Sequence, residues 1–143
     1  MSAQTEQPAS RPASWDDVIT VTSLLERHGV KYVLLGGYAL YARGIIRQTG
    51  DVDILVENTP ENNKKWIGAL SELPDKAAAG LEGEDNPFLV SDYDDVDGGE
   101  PGVIRIADEF IVDVMPMACG LAYADLAGRI DTVDMDDLSL IHI

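Results

Sequence analysis

Residues 32–56 constrain the fold of this chain more than any other stretch. They comprise an apolar run, the adjacent glycines Gly36 and Gly37, a helix-like segment, and a second apolar run that carries Asp51 and Asp53. Short apolar runs bounded by glycine are typical of buried strands. The stretch therefore predicts two strands joined by a Gly-Gly turn and a short helix.

The second of these strands predicts a face that carries two carboxylates. Successive side chains of a strand alternate between faces, so Asp51 and Asp53 share one face, with Cα atoms roughly 6.5 Å apart. Val52, Ile54 and Val56 form the opposite, apolar face. Two carboxylates in this arrangement can share a divalent cation. The competing interpretation is chance, because an Asp-x-Asp pair is common in a protein this acidic.

The Gly-Gly pair adds a second element to the same hypothesis. Without side chains, Gly36 and Gly37 let the backbone approach a phosphate closely, and the N–H groups at the start of the following helix favour an anion. The alternative is a plain turn without a ligand.

Together, the Gly-Gly pair, the Arg-x-Thr-Gly-Asp-Val-Asp-Ile run at residues 47–54 and the Glu-Asn-Thr-Pro-Glu-Asn run at residues 57–62 resemble a known family. They are similar to nucleotidyltransferases of the DNA polymerase β superfamily, especially its small stand-alone bacterial members. That family has a third carboxylate on a later apolar strand, and Asp113 within residues 111–115 matches it. The resemblance covers residues 15–143.

The resemblance implies a fold and a reaction. The fold is α/β (α+β): one domain with a nucleotidyltransferase-like mixed sheet flanked by helices. The reaction is transfer of a nucleoside monophosphate from an NTP to an acceptor, which is a protein, a small molecule or RNA. Asp51, Asp53 and Asp113 would bind two Mg²⁺ ions and carry the catalysis, while Gly36 and Gly37 would hold the phosphates.

Two further residues are candidate nucleotide contacts. Arg47 either binds a phosphate or pairs with Asp51 or Asp53 in the empty site. Thr49 is a ligand contact or, on the competing interpretation, an ordinary residue at the edge of a strand.

Two other functional classes stay open. The chain could be a nucleotidyltransferase-like module of a toxin–antitoxin type system, weak or inactive in catalysis, whose acidic face binds a basic partner protein. It could also be a purely structural protein, with acidic pairs that serve solubility and a Gly-Gly pair that only turns the chain.

Composition limits the partners. The formal net charge is −16, from 26 acidic and 10 basic residues, and Lys and Arg form no cluster, which argues against a surface that grips nucleic acid. The single Cys119 cannot form an intrachain disulfide. No apolar stretch approaches the roughly 20 residues of a bilayer-spanning helix, and no signal-peptide pattern is present. The sequence therefore predicts a cytoplasmic protein without a membrane partner.

The rest of the chain predicts one domain over residues 14–143 behind a flexible arm, residues 1–13. Ser14 is expected to cap a first helix, and Thr59 with Pro60 to begin another. Residues 103–107 and 110–115 predict a hairpin that turns through Asp108 and Glu109. Residues 132–143 resemble the family segment in which a strand precedes the start of a helix, which suggests a domain truncated at its C-terminus.

Overall fold

A mixed β-sheet with helices packed on it forms the centre of the molecule. The computed structural model describes residues 10–35, 50–84, 86–89, 103–118, 120–129, 132–135 and 139–142. The helices in these ranges are α1 (Trp15–Arg27), α2 (Pro60–Leu70) and the short α3 (Tyr123–Leu126). The strands are β1 (Tyr32–Leu35), β2 (Asp51–Val56), β3 (Ile104–Ala107), β4 (Ile111–Met115), β5 (Met117–Ala118), β6 (Leu121–Ala122), β7 (Thr132–Met135) and β8 (Ser139–His142).

The main sheet has the strand order β1-β2-β4-β3. β1 runs antiparallel to β2, β2 runs parallel to β4, and β4 runs antiparallel to β3. The parallel pair requires a long crossover between β2 and β4, and α2 lies within that connection. The predicted mixed sheet in one small α+β domain is confirmed; the finer assignment to a nucleotidyltransferase fold remains a proposal.

The register gives the sheet a simple division into two faces. In every pairing of the four strands an even-numbered residue lies opposite an even-numbered one, as Ile54 lies opposite Leu34 and Val114. The even-numbered side chains form one core cluster with the buried faces of α1 and α2. Odd-numbered side chains, including all three predicted carboxylates, point to the other face.

The helix α1 begins and ends as its sequence predicts. Ser14 accepts a hydrogen bond from the Asp17 backbone N–H, and the Asp17 carboxylate accepts one from the Ser14 backbone N–H, which completes a capping box. After the helix, Gly29 has a φ of +69°, a conformation that glycine adopts without strain. Val18 and Val21, which lie on one face of the helix, are fully buried.

The helix α2 is also capped as predicted. The Thr59 hydroxyl accepts a hydrogen bond from the Asn62 N–H at 3.1 Å, and Pro60 occupies the first turn. Trp66 is fully buried and donates its indole N–H to Asn63 at 2.9 Å. Trp66 is therefore a core residue, in agreement with its apolar helical spacing.

The β3–β4 hairpin differs from its prediction by one residue. The turn has three residues, Asp108 to Phe110, so that Ala107 pairs with Ile111. The Asp108 N–H donates to the Phe110 carbonyl oxygen at 3.1 Å. Phe110, expected in the strand, is instead buried in the turn with 2% of its surface exposed. Its burial in the core provides a physical reason for the longer turn.

The predicted flexible arm, residues 1–13, is described only from Ser10 onward, and there it contacts the domain. Ser10 donates its hydroxyl to the Asp108 carbonyl oxygen at 2.7 Å, and the Arg11 N–H donates to the Glu109 carbonyl oxygen at 2.9 Å. The Ala13 N–H donates to the Gly50 carbonyl oxygen at 3.0 Å. The ordered contacts thus begin before the predicted boundary, because backbone groups of the sheet end provide partners for this segment.

The strand expected from residue 132 is present as β7, whereas the later part of residues 132–143, compared with the start of a helix, forms a second strand, β8, where it is described. The chain forms β7 and β8, which pair antiparallel from Thr132 opposite His142 to Met135 opposite Ser139. Backbone hydrogen bonds to β7 and the closeness of β8 to α1 and β1 provide the extended segment with partners that a helix start here would lack.

Candidate carboxylate site

Four residues form a row across the odd-numbered face of the main sheet. Asp53 on β2 lies opposite Asp113 on β4, and Arg105 on β3 lies opposite Asp113 on its other side. Leu35, the last residue of β1, completes the row opposite Asp53. Asp51 lies two residues before Asp53 and so projects from the same face. The structure therefore brings the three predicted catalytic carboxylates together, and we call Asp51, Asp53 and Asp113 the carboxylate site.

The strand geometry brings like charges close together at this site. Neighbouring strands lie about 4.8 Å apart, so opposed side chains on one face interact directly. Carboxylates directly opposite each other destabilise a strand pair. Asp53 and Asp113 are such a pair, and the Asp113 side chain is only 11% exposed. This placement is unfavourable for a protein that uses the carboxylates for solubility alone.

Arg105 offsets part of this charge. Its Nε donates to Asp113 Oδ1 at 3.0 Å and its Nη2 donates to Asp113 Oδ2 at 3.1 Å, which makes a two-pronged ion pair. The same Nη2 lies 3.5 Å from Asp51 Oδ2, a longer contact. Arg105 therefore contacts both carboxylates that flank Asp53.

The surroundings of Asp53 strongly disfavour its charged form. Burial, then the charge of Asp113, then that of Asp51 raise the pKa of Asp53 from 3.8 to about 6. The attraction of Arg105 opposes this rise but is the weakest of the four influences. The pKa of Asp53 is raised because its negative charge is held in a partly buried site near two other carboxylates. A bound cation would offset that repulsion.

The donor set suits a hard divalent cation, but the side chains are not arranged around one. Carboxylate oxygens are the protein ligands that Mg²⁺ prefers. In the described ranges, no group of three or more His, Cys, Asp or Glu side chains is placed to hold a metal ion. Both Asp113 oxygens point to the Arg105 guanidinium instead. Binding an ion between the three carboxylates therefore requires their side chains to rotate.

The other predicted site residues lie outside the described residues. These are the phosphate-binding candidates Gly36, Gly37, Arg47 and Thr49. The structure gives the points between which their segment runs. β1 ends at Leu35, which lies opposite Asp53, and the described chain resumes at Gly50, directly before Asp51. The Gly-Gly pair thus follows the strand end that lies next to the carboxylate site.

Arg105 is a site residue that the sequence interpretation missed. A signal for it was present, since the apolar alternation of Ile104 with Ile106 and of Val112 with Val114 requires these residues to share one face. A three-residue turn places Ile104 opposite Val114 and Ile106 opposite Val112, which a two-residue turn does not. The same register places Arg105 opposite Asp113. The predicted two-residue turn would have placed Arg105 opposite Val112 and so concealed the ion pair.

No match was found when the chain was compared with protein-family models, with curated proteins and with solved structures. The geometry of the carboxylate site and the sequence motifs are therefore the observations that bear on function.

Among the helices of the described ranges, none combines the length and the apolar character that crossing a bilayer would require.

Proposed function

We propose that this chain is a Mg²⁺-dependent nucleotidyltransferase that moves a nucleoside monophosphate from an NTP to an acceptor hydroxyl. One observation carries the proposal: Asp53 lies opposite Asp113, with Asp51 on the same face, at the end of the sheet from which the chain continues to Gly36. Three carboxylates on one sheet face, with a Gly-Gly pair next in sequence after the strand residue opposite Asp53, are suited to a metal-bound triphosphate.

Each carboxylate has a role in this reaction. Asp51 and Asp53 would hold the Mg²⁺ of the triphosphate, and with Asp113 they would hold a second Mg²⁺ near the acceptor. When bound, these ions supply neutralisation of the charge that develops on the phosphates. The acceptor oxygen forms a bond to the α-phosphorus, the bond from that phosphorus to the bridging oxygen breaks, and pyrophosphate leaves. Asp113 would take the proton of the hydroxyl.

The phosphate contacts belong to the residues around the Gly-Gly pair. Gly36 and Gly37 would bind the β- and γ-phosphates through backbone N–H groups, and Arg47 would offset charge in the transition state. Thr49 is a further candidate contact. The acceptor is a protein, a small molecule or RNA, and the net charge of −16 weighs against RNA.

Calorimetric titration of ATP, GTP, CTP and UTP, with and without Mg²⁺, tests the proposal. We expect at least one NTP to bind the wild-type protein in a Mg²⁺-dependent manner. The Asp53→Asn variant should weaken that binding at least about tenfold, which corresponds to about 1.4 kcal/mol. Asp75→Asn, the same change at an exposed position, is the matched control and should bind as the wild type does.

Release of pyrophosphate from the NTP that binds then tests the chemistry. Asp53→Ala should abolish Mg²⁺-dependent release, because the variant lacks a ligand that both proposed ions share. A variant that releases pyrophosphate at the wild-type rate would show that the metal assignment is wrong. The same conclusion would follow if no NTP bound the folded wild-type protein.

A second candidate function is a catalytically weak partner module of a toxin–antitoxin type system that binds a basic protein. Two observations favour it: the net charge of −16 and the ion pair that already engages both Asp113 oxygens. This candidate predicts a stable complex with a basic protein and no turnover of any NTP. The titrations with NTP distinguish it from the enzyme.

A further inference from the structure

Arg105 occupies a position that a metal-bound form of the carboxylate site would need. Its guanidinium engages both oxygens of Asp113 and approaches Asp51. A carboxylate whose two oxygens accept hydrogen bonds from a guanidinium has few lone pairs left for a cation on that side. Arg105 and a divalent cation would therefore compete for the same atoms.

The exposure of the partners shows which of them can move. The Arg105 side chain is 58% exposed, whereas the Asp113 side chain is 11% exposed. A long, solvent-exposed side chain can rotate away at little cost, while a short side chain on a central strand cannot leave the sheet. Opening the site thus requires Arg105 to leave Asp113, and the strands can keep their register.

We propose that Arg105 is a built-in counter-ion of the carboxylate site: it holds Asp113 and Asp51 while no cation is bound, and it releases Asp113 when a divalent cation binds. Arg105 is thus a positioning residue that keeps the paired acids together and sets how tightly the site binds a metal. The inference rests on the proposed function only in that it assumes a divalent-cation site at Asp51, Asp53 and Asp113.

The inference predicts that removing the guanidinium strengthens metal binding. The two charge-assisted hydrogen bonds from Arg105 to Asp113 must break before a cation can use the same oxygens, so they oppose its binding. We expect Arg105→Gln to bind Mn²⁺, in the absence of nucleotide, about tenfold more tightly than the wild type does. Arg105→Lys keeps the charge but loses the two-pronged geometry, so its affinity should fall between the two.

Free Mn²⁺ measured by electron paramagnetic resonance at fixed ionic strength gives these affinities directly. Arg27→Gln is the matched control, since it also removes one exposed arginine, which pairs with Glu72 at 3.8 Å, away from the carboxylate site. It should leave the affinity unchanged. Equal tightening in Arg27→Gln and Arg105→Gln would assign the effect to net charge and overturn the inference.

Asp53→Asn separates failure of the inference from failure of the proposed function. If Asp53→Asn abolishes a Mn²⁺ site whose affinity is the same in wild type, Arg105→Gln and Arg105→Lys, the metal site is real and the role of Arg105 is wrong. Asp53→Asn can also be introduced into the wild type, Arg105→Gln and Arg105→Lys. If it changes the Mn²⁺ affinity of none of them, no metal binds at this site, and the proposed function fails together with the inference.

Thermal unfolding with and without Mg²⁺ gives a second readout, because loss of a merely structural arginine would not change how much Mg²⁺ raises the melting temperature. We expect Arg105→Gln to melt at a lower temperature than the wild type without a divalent cation, because the opposed carboxylates lose their counter-ion. Addition of Mg²⁺ should raise its melting temperature more than it raises that of the wild type. An equal rise in the two proteins would contradict the competition.

Discussion

Two acidic residues, Asp108 in the turn between β3 and β4 and Asp53 on β2, have contrasting surroundings. Asp108 is 3% exposed, and its carboxylate accepts backbone N–H donations from Asp75, Ala77 and Glu109 at 2.9, 3.0 and 2.9 Å. Asp53 is opposed by Asp113, and burial together with the charges of Asp113 and Asp51 raises its pKa. The first acid stabilises the fold through its donors. The second destabilises it, which is reasonable where a cation is to be bound.

Asp17 follows the pattern of Asp108. Arg11 donates to both of its oxygens, and the Ser14 backbone N–H donates to one of them at 2.7 Å. The hydrogen bond from Arg11 is the largest cause that lowers the pKa of Asp17. The molecule thus provides donors for the buried acids Asp17 and Asp108, whereas Asp53 lies among like charges in the carboxylate site, where Arg105 donates to Asp113.

The largest effect is expected at Asp108. Asp108→Asn replaces a carboxylate by an amide whose NH₂ group cannot accept the backbone N–H donors, so a buried donor loses its partner. We expect the free energy of unfolding, measured with urea, to fall by about 2–3 kcal/mol. Asp75→Asn is the control: the Asp75 side chain is exposed, and its backbone N–H, which donates to Asp108, is unchanged. It should change the free energy of unfolding little. A loss as small as that of the control would mean that Asp108 is not a structural carboxylate.

A smaller effect of opposite sign is expected at Asp53. The shift of its pKa from 3.8 to about 6 disfavours the charged form in the folded protein at pH 7. With a large reduction for solvent screening of this half-exposed group, Asp53→Asn should stabilise the protein by about 1 kcal/mol without divalent cations. Urea unfolding with and without Mg²⁺ measures this gain. Destabilisation without Mg²⁺ would place Asp53 with Asp108 and remove the contrast.

The smallest effect is the pH dependence of that gain. A carboxyl whose folded pKa is raised binds more protons in the folded state, so its contribution to stability decreases as pH rises from 3.8 to about 6. The gain from Asp53→Asn should therefore be small near pH 4 and constant above about pH 6. Urea unfolding of both proteins across this range measures the difference. A gain that does not vary with pH would assign it to packing.

The contribution of Asp17 to stability should depend on pH in the opposite direction. Its pKa is lowered from 3.8, so its contribution is present above that pH and is lost as the pH falls through the folded value.

Most of the local structure was predictable because it is encoded in adjacent residues. The capping box of Ser14 and Asp17, the Thr59–Pro60 helix start and the alternation around Asp51 depend on contacts within a few residues. The convergence of Asp53 and Asp113 depends on strand order. It was predicted only through the family resemblance, because periodicity does not state which strands are neighbours.

The errors concern contacts between distant parts of the chain. The predicted hairpin turn is one residue shorter than the observed one, because the sequence pattern does not show that Phe110 is buried in the core. Residues 132–143 predict a strand followed by the start of a helix, but a second strand, β8, follows β7 and pairs with it. Local preference does not determine either result, since each depends on partners distant in sequence or on packing against the sheet.

The contacts of Ser10, Arg11 and Ala13 have a practical consequence for making the protein. They attach the start of the described chain to Asp108, Glu109 and Gly50, at the same end of the sheet as Asp51. An affinity tag joined directly ahead of Ser10 would therefore lie near the carboxylates, and a polyhistidine tag would add metal ligands there. A cleavable tag, removed before any titration, would avoid this interference.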